Sequence, residues 1–72
     1  MIMKNKRIKF KKLRTLFTGR NGTFYCTGLN IDKWDNIIEI NPITSQNKIA
    51  NCRIEIPLEE LNLFIDTLKD LK

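Results

Sequence analysis

The sequence predicts an α+β fold: a curved, four-stranded antiparallel sheet followed by one C-terminal helix packed on one of its faces (ββββα). Three observations predict it. Runs of strand length rich in β-branched and aromatic residues alternate with turn signals from Arg7 to Ile56. The stretch after Pro57 changes to a helical period, with Leu58, Leu61, Phe64, Ile65, Leu68 and Leu71 on one stripe. There is no linker, internal repeat or low-complexity tract, so residues 7–72 read as one small domain behind a basic, mobile N-terminus at residues 1–6.

The elements follow in order. In Arg7 to Phe17, Ile8 and Phe10 alternate with Lys9 and Lys11. The phase then shifts, so that Leu13, Thr15 and Phe17 alternate with Lys12, Arg14 and Leu16. A one-residue phase shift is what a β-bulge produces in a long strand. A short helix is the rival, because Phe10, Leu13, Leu16 and Phe17 also fit helical spacing. Gly19-Arg20-Asn21-Gly22 is a hairpin turn, with Asn-Gly to supply positive φ. Thr23 to Ile31 is the second strand, and Asp32 to Asn36 a turn. Ile37 to Ile43 is the third, and its Pro42 points to an edge or a strand end. Thr44 to Lys48 is a polar connection. Ile49 to Ile56 is the fourth strand, with Ala50, Cys52, Ile54 and Ile56 on one face. Pro57 opens the helix, Glu59 and Glu60 complement its N-terminus, and Lys69 and Lys72 its C-terminus. Leu63 falls outside the apolar stripe and points to a partner subunit.

Composition narrows the chemistry. A hydrophobic content of 42% supports a core rather than disorder. A chain of 72 residues buries a modest fraction of its surface, so self-association is expected. Cys26 and Cys52 lie in strand-like runs and read as buried free thiols. With no histidine and no paired-cysteine motif, the ligands for a zinc site are missing, and no cofactor is expected. Ser45, the only serine, sits in a polar loop, and neither a nucleophile–base pair nor a phosphate-cradling motif is present. The expectation is a protein that is not an enzyme and has no small-molecule substrate. No apolar run is long enough to span a membrane, and the start lacks a secretory signal. The chain therefore reads as cytoplasmic, or nuclear in a nucleated cell.

Charge is the most informative feature. Eight of the 13 Lys and Arg residues lie between Lys4 and Arg20, and all 8 Asp and Glu residues lie at or beyond Asp32. A concentrated positive field attracts polyanions, and nucleic acid is the leading candidate. Interleaving of Lys9, Lys11, Lys12 and Arg14 with Ile8, Phe10, Leu13 and Phe17 argues for an ordered basic strand; a solvated basic tail is the alternative. Arg20 follows in the hairpin turn. Tyr25, on the face opposite Phe24 and Cys26, and Trp34, in a polar turn, are candidates for base stacking. A bulge would exchange the faces of Tyr25 and Phe24, and Trp34 could instead fold back over the sheet edge or the helix end. Arg53 could extend a binding track or pair across strands with Glu39.

The strand order, with the ending Arg53-Ile54-Glu55-Ile56-Pro57-Leu58-Glu59-Glu60-Leu61-Asn62-Leu63-Phe64, resembles the single-stranded nucleic-acid-binding group that contains PUR repeats, positive cofactor 4 and Whirly proteins. The resemblance covers most of the chain in architecture and about a dozen residues in pattern. It implies a curved sheet that binds single strands on its open face, where Lys9, Lys11, Lys12, Arg14, Tyr25 and Arg53 would lie. It also implies a homodimer paired through its helices, at Leu61, Leu63, Phe64, Leu68 and Leu71. Glu39 and Asn41 depart from the basic and aromatic surface of that group.

These readings converge on a non-catalytic binder of single-stranded DNA or RNA with low sequence specificity. The alternative is a small protein-interaction or inhibitor module that docks its basic face on an acidic protein. A subunit of a nucleoprotein particle is a third reading.

Overall fold

The computed structural model describes residues 1–72. Its fold is α+β: a five-stranded antiparallel sheet followed by a C-terminal helix. The strands are β1 (Lys4–Lys9), β2 (Leu16–Gly19), β3 (Gly22–Lys33), β4 (Ile37–Thr44) and β5 (Ile54–Pro57). A 3-10 turn, Leu58–Glu60, leads into α1 (Leu61–Asp70). The sheet order is β1-β3-β4-β5, and β2 also pairs with β3.

The fifth strand comes from the segment expected to be one bulged strand. β1 pairs with the second half of β3, Lys9 lying opposite Gly28, and β2 pairs with the first half, Leu16 lying opposite Tyr25. Between them, Phe10 to Thr15 must leave the ladder, because β3 has only Cys26 and Thr27 to offer them. The phase shift at Lys11–Lys12 marks this excursion, which is larger than a single-residue bulge. The backbone stays attached at both ends, where the Phe10 N–H donates to Thr27 O and the Cys26 N–H to Thr15 O, each at 2.9 Å. β1 also begins at Lys4, so Lys4 to Lys6 belong to the sheet rather than to a mobile N-terminus.

The opposite edge is interrupted as well. Ile49 makes one bridge to Ile43, and regular pairing with β4 resumes only at Ile54. The expected fourth strand, Ile49 to Ile56, is therefore shorter. Across the gap the Asn41 amide donates to Ala50 O (3.3 Å) and Cys52 O (3.2 Å), replacing ladder bonds with side-chain bonds. Pro42 lies in β4 beyond the last residue paired with β5, where its missing N–H costs no ladder bond. Broken edge strands resist pairing with foreign strands.

Turn chemistry is partly as expected. Arg20 and Asn21 form the tip of the β2–β3 hairpin, but the positive φ falls on Gly22 (119°). Asn47 supplies another left-handed residue (φ 63°) in the Thr44–Lys48 turn, a conformation asparagine tolerates better than most side chains. Pro57 ends β5 with an extended ψ of 140°, so the helical segment begins at Leu58.

Residues directly opposite in an antiparallel pair share a face. The register puts Ile8, Leu29, Ile31, Ile38, Ile40, Ile54 and Ile56 on one face, with Lys4, Lys6 and Lys33 at its rim. Asn5, Arg7, Lys9, Asn30, Asp32, Glu39, Asn41 and Glu55 are on the other. The apolar face is only partly covered: Ile56 is buried, Ile31, Ile38 and Ile40 are half-buried, and Ile8 and Ile54 are exposed. The substantial contact of α1 is with the 3-10 turn that precedes it, and every residue of α1 is exposed except half-buried Leu61. Only seven residues are buried, and three of them are Asn30, Asp32 and Asn41.

Candidate nucleic-acid interface

The eight cations between Lys4 and Arg20 follow one side of the sheet. Lys4, Lys6, Arg7 and Lys9 are on β1, Lys11, Lys12 and Arg14 on the excursion, and Arg20 at the hairpin tip. All eight are exposed. None of them is in a salt bridge, because both ion pairs of the chain belong to Arg53. Arg7 donates through Nε to Asn30 Oδ1 (3.1 Å), which leaves its charge without an acidic partner. β1 and β2 pair only with β3, so their outer backbone edge is also open.

Alternation sends the β1 side chains to both faces: Lys4 and Lys6 towards the apolar side, Arg7 and Lys9 towards the polar side. The positive charge therefore follows an edge, not the open sheet surface that the resemblance implies. The polar face itself carries Asp32, Glu39 and Glu55. Its amides and acids are bound to one another. Asn5 donates to Asn30 and Asp32, and Asn30 Nδ2 donates to Asp32 Oδ2 at 3.1 Å. No buried side-chain polar atom lacks a partner.

The predicted residues separate into two groups. Lys9, Lys11, Lys12, Arg14 and Arg20 share the basic edge. Tyr25 is near it, opposite Leu16 of β2 and 51% exposed. A register shift in β3 places Cys26 opposite Thr44 but Gly28 opposite Ile43. That shift is the bulge on which the facing of Phe24 and Tyr25 depends. Phe24 pairs with Phe17 across β2 and β3, with ring centroids 5.8 Å apart. Trp34 and Arg53 are elsewhere. The Trp34 Nε1–H donates to Glu39 Oε2 (3.2 Å), and Arg53 Nε contacts Glu39 (3.3 Å) and Glu55 (2.8 Å). Cross-strand pairing thus engages Arg53, and Trp34 lies over an acid rather than among the cations.

Two features escape the sequence reading. Lys4, Lys6 and Arg7 join the basic edge, since the strand extends to Lys4; the same uninterrupted basic run was the signal for them. A groove of about 760 Å³ lies between the hairpin and the Thr44–Cys52 segment, lined by Phe17, Arg20, Phe24, Tyr25 and Lys48 among others. Lys48 is distant in sequence from the basic run, and nothing local marks it.

No cluster of His, Cys, Asp and Glu could hold a metal, and both cysteines are free, Cys26 buried and Cys52 half-buried. No helix is long and apolar enough to cross a membrane. No family model, curated protein or solved structure matches the chain.

Proposed function

We propose that this protein is a non-catalytic binder of single-stranded nucleic acid, with the strand running along the β1–β2 edge. The observation that carries the reading is a row of eight exposed cations with no acidic partner on one open edge. Lys and Arg side chains spaced along a strand neutralise successive phosphates and release counterions, which supplies affinity without reading sequence. Single strands are favoured over duplex because Phe24 and Tyr25 are 46% and 51% exposed beside the cationic hairpin tip. Unpaired bases can stack on such rings, worth about 1–3 kcal/mol per base.

Fluorescence anisotropy of labelled single strands and duplexes across a salt series tests this. Neutralising about six phosphates gives a log–log salt slope near −4 on single strands. Replacing Lys9, Lys11, Lys12 and Arg14 by Gln makes that slope shallower by about 0.7 for each phosphate no longer neutralised. Equal, weak binding to every polyanion, or a slope indifferent to these substitutions, sinks the proposal.

The open backbone of β1 and β2 favours one other reading, a module that adds its basic edge to the strand of an acidic protein. Purification with a defined protein and no nucleic acid would select it.

A further inference from the structure

We infer that two copies of this chain form an obligate dimer in which each copy lays α1 across the apolar sheet face of the other. The inference is independent of nucleic-acid binding and replaces helix-to-helix pairing with helix-on-sheet packing.

Each copy carries both halves of the contact. The sheet offers Ile8, Ile31, Ile38, Ile40, Ile54 and Ile56 on one face; only Ile56 is buried, and Ile54 is 57% exposed. The helix offers Phe64, Ile65, Leu68 and Leu71, which are 36%, 38%, 51% and 79% exposed. Reciprocal placement about a two-fold axis satisfies both surfaces at once and closes the assembly at two copies.

The area agrees with this. A compact monomer of 8.5 kDa exposes about 4,700 Å², whereas this chain exposes 6203 Å². The excess of about 1,500 Å² per chain amounts to about 3,000 Å² for a pair, which is the range of obligate homodimers. The radius of gyration, 12.9 Å, also exceeds the roughly 11 Å of a compact chain of this length.

Sedimentation equilibrium from about 1 to 200 µM, with thermal melts over the same range, tests the association. A dimer is expected throughout most of that range, with a Tm that rises with concentration. A monomer at the highest concentration with a constant Tm overturns the inference. Isotope-filtered NOEs from a mixture of labelled and unlabelled wild-type chains test the geometry. Inter-chain NOEs from Phe64 and Leu68 to Ile38, Ile40 and Ile54 are expected; inter-chain NOEs confined to helix against helix overturn it. Leu71→Lys, at the exposed end of the helix, is expected to weaken dimerisation at least about tenfold. Unchanged association of a folded Leu71→Lys variant counts against the interface, and the wild-type NOEs decide if that variant does not fold.

Discussion

The two faces of the sheet differ in how far a single chain completes them. On the polar face, Asn30 is 1% exposed, Asp32 6% and Asn41 8%, and every buried polar atom has a partner. On the apolar face Ile56 is buried, but Ile8 and Ile54 at the two edges are 46% and 57% exposed. In most single-chain domains the apolar face is the buried one. The difference shows where this chain completes itself and where it does not. Hydrogen bonds are directional and local, so Asn5, Arg7, Asn30 and Asp32 can satisfy one another within two neighbouring strands. Apolar burial needs another layer, and one chain of this topology supplies it only in part.

The largest expected effect is on the apolar face. Ile40→Asp puts a charge at its centre and should cost about 3 kcal/mol or more if a second layer covers that face. Urea unfolding at two protein concentrations measures it, and a loss below about 1 kcal/mol would mean the face stays wet and would break the comparison. Gly28→Ala comes next. An added Cβ would collide with the Ile8 carbonyl oxygen and lie 3.3 Å from Lys9 Cα. We expect a loss of about 2–3 kcal/mol from this overpacking, with hydrogen exchange rising first in β1. Wild-type exchange rates in β1 of a folded variant would show that the edge can shift.

Asn30→Ala should cost about 1–2 kcal/mol, because it strips partners from Asn5, Arg7 and Asp32. The loss should be the same at every protein concentration if the polar face is complete within one chain. A loss that grows on dilution would place that face in an interface too. Arg53→Gln is the smallest. Its side chain is 57% exposed, so losing both ion pairs should cost less than about 1 kcal/mol. Nucleic-acid affinity should barely change, and a large drop in anisotropy titrations would extend the binding track across the polar face.

Much of the fold and part of the candidate site were legible in the chain itself. Alternation, turn residues and the helical stripe after Pro57 are local signals, and they placed the strands, the hairpin tip and the helix near their observed positions. The basic run from Lys4 to Arg20 needed no structure to be seen. Its side-chain directions did, because the phase shift at Lys11–Lys12 fits both a bulge and a wider break. The register against β3 decides between them, since β3 has two residues where the edge has six. Pairing is likewise what separated Arg53 and Trp34 from the other cations and aromatics, because both side chains meet Glu39 on β4.

The sequence by itself determined the fold class, the concentration of positive charge in the first twenty residues and the amphipathic helix, because periodicity and charge are written residue by residue. Only the tertiary structure decided that the charge follows an edge, that Asn30, Asp32 and Asn41 are among the seven buried residues, and that part of the apolar sheet face stays open. Those outcomes depend on which strands meet and in what register, and on the direction in which α1 leaves the 3-10 turn after β5.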